Sequence, residues 1–267
     1  MENQKSSHHF FVSLPFSQLK GIKHAFFTRN LPGSNHVYVT HTFNRLGIAG
    51  PKEELIKRNC DIVIAHSPFP IDRLSILDEI HSNRAIVIGS KEQIQTEIQA
   101  DGQVTNQPGL ALAILAADCA PVLFADESNR VIGAAHAGWK GAQEGILENT
   151  LLEMTKLGGK KSQISALIGP CIHQNDYEVG PKFVQTFLQE SSSNETFFKE
   201  STSSNRMLFD FPGYVSNKLK NAGLKEVHDI GLNTFNDEKN FFSFRASTLQ
   251  GKDLEGNLIS VIALANN

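Results

Sequence analysis

The chain has 267 residues, 40% hydrophobic and 20% charged, with a net charge of −3, a composition that can bury a core as one large domain. No basic excess marks a nucleic-acid surface, and no run approaches the ~20 apolar residues a spanning helix needs; neither nucleic acid nor membrane is an expected partner. The start, MENQKSSHHFFVSLPFSQLKG, has no apolar segment of signal-peptide type, and the three cysteines, Cys60, Cys119 and Cys171, are odd in number and far apart, so a reducing cytoplasm is the expected setting.

In chain order, HFFVSL, HAFFTR and VYVTHTFN are short extended runs, with Pro32-Gly33 between the last two. Glu53–His66 is expected as a helix. Leu55, Ile56, Asn59, Ile62 and Val63 share a face, and Pro51 and Pro68-Phe69-Pro70 limit it. RLSILDEIHSNRAIVIG carries two expected strands around His81. LALAILAAD and RVIGAAHA are apolar throughout, the pattern of strands buried on both faces. Ala142–Leu157 is expected as a helix ended by Gly158-Gly159. QISALIGPCI is a further buried strand, Gly180–Gln189 and Tyr214–Lys220 are expected helices, and VHDIGL, FFSFR and LISVIALA are expected as extended. The polar, Ser-rich segment 191–206 is expected as a mobile surface loop. With no internal repeat and no clear linker, residues 1–267 are expected as a single domain of α+β, mixed α/β, class.

Two apolar strands each stop at a reactive side chain, Cys119 and His136, and so place those atoms on rigid elements. Buried cysteines are common, but Asp118 puts a carboxylate beside Cys119, and a buried acid needs a partner. His136 precedes Gly138-Trp139-Lys140-Gly141, where two glycines permit a tight turn. A helix start there, with Lys140, suits an anion such as phosphate; a solvated lysine is the plain alternative. Trp139 could stack on a ligand or merely cover the helix start. His81, after Asp78 and Glu79, is a third candidate. Two histidines and one cysteine make an N₂S set with the fourth position open, the form of a catalytic zinc site. Their spacings are no local zinc signature, so the fold must assemble the set.

ADGQVTNQPGLALAILAADCAPVLFAD, HAGWKG, IGPCI with YEVG, and FFSFR together resemble the YfiH-like family, also called the laccase-domain or multicopper polyphenol oxidase family, in order from about Thr42 to the C-terminus. The resemblance implies a layered sandwich with mixed sheets inside and helices outside. It implies a metal, usually zinc with copper also considered, held by His81, Cys119 and His136. It implies purine nucleoside chemistry: phosphorolysis of adenosine, inosine, guanosine or methylthioadenosine, and deamination of adenosine. The partners would be a nucleoside and phosphate, in a monomer or small homo-oligomer. The expected catalytic set is Cys119, His136, His81 and Asp118, with Glu79 the other carboxylate able to move a proton. Asn44, Lys140 and Arg245 are expected to bind substrate or phosphate; for Arg245 a buried ion pair, for instance with Glu178, is the alternative.

Several positions depart from the family pattern. Its Gln-x-His-Gly is Glu79-Ile80-His81-Ser82, its Asn-Arg pair is Asn59-Cys60, its Cys-Thr is Asn233-Thr234, and its second Arg after FFSFR is Ala246. Other readings stand beside the nucleoside one. Cys119 could be the nucleophile of a hydrolase acting on peptidoglycan-precursor amino-acid conjugates, with a histidine as base. A copper polyphenol oxidase would need several coppers in gathered ligand sets, and no His-x-His pair occurs. A metal-stabilised binding module is the non-catalytic option.

Overall fold

The computed structural model describes residues 4–6, 9–31, 52–89 and 98–266. VYVTHTFN, Pro32-Gly33, Pro51 and Asn44 lie outside the described residues. Two six-stranded sheets form the centre. In one, β1 (Gln4–Ser6), β2 (Phe10–Ser13), β3 (Ile22–Phe27), β15 (Leu258–Leu264), β7 (Leu110–Ala116) and β4 (Arg73–Ile76) lie in that order. In the other the order is β14 (Glu226–Asp229), β10 (Ser165–Ile168), β8 (Ala120–Asp126), β9 (Val131–Ala137), β6 (Gly102–Thr105) and β5 (Ala85–Val87). Both sheets are mixed: β4 runs parallel to β7 and β10 to β14, while β15 is antiparallel to β3 and β7. The expected α+β class is what the structure shows.

Period-two alternation explains why the central strands are apolar throughout. Along β7, Leu110, Leu112 and Ile114 face the second sheet and meet Leu123, Ile132, Ala134 and Leu167 in an inter-sheet core. The alternate residues Ala111, Ala113 and Leu115 pack on the outside with Val63 of α2 (Lys52–His66), which follows the short α1 (Leu14–Ser17) in the chain. On the outer face of the second sheet, Val122, Phe124 and Ala135 pack under α4 (Ile146–Lys156) and α6 (Phe211–Asn221). The result is four layers, with helices outside both sheets. A third, three-stranded sheet of β11 (Glu178–Val179), β13 (Met207–Phe209) and β12 (Phe198–Glu200) carries an aromatic cluster with α5 (Pro181–Glu190). No helix among the described residues is long and apolar enough to cross a membrane.

Four local expectations are corrected. The helix expected over 142–157 is two helices, α3 (Trp139–Glu144) and α4, because Gly145 adopts φ +99 between them. FFSFR is not a strand: the Ser243 hydroxyl accepts from the Ala246 N–H and caps α7 (Phe244–Leu249). Segment 191–206 is not all loop, for Ser192–Phe197 forms a 3-10 turn leading into β12, with Asn194 and Phe197 buried. Strand β8 was not expected at all. Pro121 at its second position argues against a central strand, yet it sits near the strand start, opposite His136.

His24 on β3 is buried, 5.5 Å from the Phe16 ring, and its Nε2 accepts from the Ser13 N–H at 2.8 Å. Burial lowers its pKa from 6.5 to about 4. Between those values the unfolded chain binds a proton that the folded chain refuses, so stability is full above about 6.5 and falls as pH drops toward 4. Urea unfolding is expected to show wild type losing on the order of 3 kcal/mol relative to His24→Gln between pH 7 and pH 4. Parallel pH curves for the two proteins would contradict it.

Candidate metal centre and its cavity

The strand parity that builds the inter-sheet core also aims the reactive groups. On β9, Ile132 and Ala134 face inward, so His136 faces inward too at the strand end. On β8, Ala125 and Leu123 face inward, and the same alternation carried back through Pro121 reaches Cys119. On β6, Gln103 reaches across to the backbone carbonyls of Ser75 and Ala113, and Asp101 lies two residues before it. His81 comes from the segment linking β4 of one sheet to β5 of the other. These groups meet where the two sheets end together.

One ligand atom each from His81, Cys119 and His136 lie within 4.8 Å of one another. Cys119 Sγ and His81 Nε2 are 3.8 Å apart. Two ligand bonds of zinc length set at a tetrahedral angle subtend about 3.6 Å between S and N, so the donor set fits such an ion. The imidazoles of His81 and His136 stand edge to face, 4.7 Å between centroids. Gly138 beside them needs to be small: a Cβ there would stand 2.8 Å from His81 Cδ2.

Two buried carboxylates hold this arrangement. Asp101 Oδ1 accepts from His136 Nδ1 at 2.9 Å and from the His81 N–H at 2.9 Å. That bond leaves Nε2 of His136 free to act as a ligand. Asp118 accepts from Thr234 Oγ1 at 2.6 Å, Ser243 Oγ at 3.0 Å and the Arg245 N–H at 2.6 Å. His81 and Asp118 have φ of +59 and +89, left-handed conformations that non-glycine residues adopt at a cost of about 1–3 kcal/mol. The hydrogen bonds at both positions offset that cost.

The charges are coupled. Burial pushes the Cys119 thiol up, but His136 and then His81 bring it down to about 6, which favours thiolate. Burial disfavours charge on His136, yet Glu79, Cys119 and the Asp101 hydrogen bond hold its pKa well above the ordinary value. Burial likewise opposes ionisation of Asp101, whose hydrogen bonds from His136 and Ser82 keep it below the ordinary value. Burial raises Asp118 despite its three donors. Burial also raises Glu79, to about 8, against the opposing pull of His136 and the Leu115 N–H, which Glu79 Oε1 accepts at 2.9 Å.

Glu79, His81, Asp118, Cys119 and His136 form the floor of a cavity of about 1120 Å³, walled by Trp139, Tyr177, Phe244 and Arg245 among others. The expected Asp118 lines it, with both its carboxylate oxygens engaged by the donors above. Lys140 does not line the cavity. It points to solvent and pairs with Glu144 at 3.7 Å, because the first turn of α3 turns it outward. Arg245 does line it, half-buried with its guanidinium carbon 5.4 Å from the Tyr177 ring centroid. Among the described residues it makes no ion pair, with Glu178 or otherwise. Trp139 packs on Phe183 at 5.0 Å while lining the cavity. The Ala-Asp-Gly sequence fits Asp101 to a turn that caps or orients a site loop, and Asp101 accepts from both histidines. Its reach to both histidines depends on pairing between β6 and β9, which leaves no local signal.

A thiol and two imidazoles converging on a cleft, carried at the strand ends of an α+β sandwich, define a candidate metal centre. The model of the multi-copper polyphenol oxidoreductase laccase family matches residues 23–265 of this chain. A Rickettsia prowazekii protein named purine nucleoside phosphorylase is 31% identical over 247 residues, 92% of this chain and 97% of that protein. A Neisseria meningitidis protein of solved structure matches at TM-score 0.74 and 28% identity, over 92% of this chain and 96% of the other. Bacillus licheniformis YfiH shares the fold at TM-score 0.78 and 22% identity, over 99% of this chain and 100% of that one. The chain belongs to this laccase-domain, YfiH-like family.

Proposed function

We propose that the chain, folded as one domain, is a purine nucleoside phosphorylase whose site holds zinc on His81, Cys119 and His136. Its substrates are adenosine, inosine, guanosine and methylthioadenosine, and the same site deaminates adenosine. It works in the cytoplasm as a monomer or small homo-oligomer. The observation that carries this reading is the convergence of the three ligand atoms within 4.8 Å, on the floor of a cavity that also presents Glu79 and Arg245. The name borne by the Rickettsia relative supports the substrate class.

When bound, the metal supplies Lewis acidity beside the cavity. In phosphorolysis a phosphate oxygen bonds to C1′ of the ribose as the bond from C1′ to the purine nitrogen breaks. The electron pair leaves with the purine, which takes up a proton. Arg245, which lines the cavity, is assigned to hold phosphate, with Asn44, outside the described residues, as the second phosphate-binding residue. In deamination water adds to C6 of adenosine and ammonia leaves, with a proton passing from the water to the departing amine. Both oxygens of Asp118 are already engaged by its three donors. In Glu79, among the described residues, only Oε1 is engaged, by the Leu115 N–H, so Glu79 is the carboxylate assigned to that transfer.

Purified protein given adenosine and phosphate should yield adenine and ribose 1-phosphate, and adenosine without phosphate should yield inosine and ammonia. No purine product from any of the four nucleosides would end the reading. Glu79→Gln keeps the bond from Leu115 and removes the proton, and kcat for deamination is expected to fall about 10²-fold. An unchanged kcat would take Glu79 out of the proton path.

One observation favours a second reading. Asp101, His136 and Cys119 are linked in the order acid, base and thiol, with the thiol brought down to about 6. A cysteine hydrolase of peptidoglycan-precursor conjugates would keep its activity after complete chelation and lose it to iodoacetamide.

A further inference from the structure

The Asp101 carboxylate is fully buried and accepts five hydrogen bonds. Oδ1 serves the His81 N–H and His136 Nδ1. Oδ2 serves the N–H groups of Ile80 at 3.3 Å and Ser82 at 2.6 Å, and the Ser82 hydroxyl at 2.7 Å. The hydroxyl is the only side-chain donor among those three, and its own acceptor role is filled by the Arg84 N–H at 3.2 Å. Its proton is therefore directed at Asp101. Three successive backbone N–H groups and this hydroxyl pin one carboxylate that touches the backbone of one metal-ligand histidine and the ring of the other.

We propose that Ser82 is a positioning residue of the metal centre. Its hydroxyl fixes the rotation of the Asp101 carboxylate, and that carboxylate orients the His136 ring and holds the left-handed turn at His81. A glycine at this position would supply the N–H but not the hydroxyl, so the additional bond is the side chain's own. A plain turn-forming serine would make the same local bonds, and what separates the two roles is metal affinity. The inference rests on the metal part of the reading above.

The test measures zinc affinity by competition with a chromophoric chelator, and the His136 Nδ1–H resonance by NMR of the metal-free protein. Ser82→Ala is expected to weaken zinc about 10-fold, within the ~10–100-fold usual for such outer partners, and to shift or broaden the resonance. Ser82→Thr, which keeps the hydroxyl, is expected to restore both. Unchanged affinity in Ser82→Ala, or equal loss in Ser82→Thr, overturns the proposal. Should Ser82→Ala not fold, Ser82→Gly removes the same hydroxyl and is judged by the same criteria. If wild type binds no divalent metal, the metal reading fails by itself and the resonance decides alone: a shift in Ser82→Ala supports the positioning role, and no shift overturns it.

Discussion

Cys119→Ala is expected to leave the fold intact and the protein without zinc. The thiolate is the softest and most strongly charged of the three donors, and two imidazoles alone do not make a structural or catalytic zinc set. Metal content should fall from about one ion per chain to near zero, and phosphorolysis by at least ~10³-fold, the scale of several kcal/mol of lost transition-state stabilisation. The fold should survive because Cys119 is only half-buried, at a strand end outside the inter-sheet core. His136→Ala should remove the metal too, but it also strips a partner from buried Asp101, adding about 1–3 kcal/mol of instability. Cys119 is therefore the cleaner probe. Metal analysis and turnover must be read together: a Cys119→Ala protein that keeps its zinc but loses activity would make the thiol a nucleophile.

Asp118→Asn should behave as a broken clasp and not as a lost proton carrier. Asparagine tolerates the left-handed backbone at this position, so the change isolates the carboxylate. One of its two acceptor oxygens becomes an NH2 donor, set either against the Thr234 hydroxyl or against the Ser243 hydroxyl and the Arg245 N–H. A buried mismatch of this kind costs about 3 kcal/mol, or roughly 10 °C in Tm. Arg245 loses its anchor, and KM for phosphate should rise about 10-fold with kcat within a few-fold. A proton carrier would give the reverse pattern, a kcat ~10²-fold lower with KM unmoved. Thermal melts and steady-state kinetics on one preparation decide between them.

The central strands were legible because burial on both faces leaves an unmistakable apolar run, as in Leu110–Ala116 and Val131–Ala137. The three residues that converge in the candidate centre were legible because two of them end such runs and the motifs around them are distinctive. What was hidden is non-local or conformational. The period of apolar residues continues through Gly145, so nothing but its φ of +99 reveals the break between α3 and α4. Lys140 follows a glycine-rich turn in the manner of an anion contact, and only the direction of the first helical turn sends it outward. The part played by Asp101 and the filled oxygens of Asp118 depend on residues up to 127 positions away in the chain, a distance over which sequence pattern carries no information.

The crossing of the chain from one sheet to the other just ahead of β5 has a thermodynamic corollary. His81 rides on that crossing segment while Cys119 and His136 belong to the second sheet, so an ion gripped by all three would act as a rivet at the open end of the sandwich. Any ligand bound only by the folded form stabilises it by an amount that grows with the logarithm of its free concentration over Kd, about 4 kcal/mol at a thousandfold excess. Thermal denaturation of this protein would then track its zinc supply, and preparations purified with and without chelator would melt as though they were different proteins.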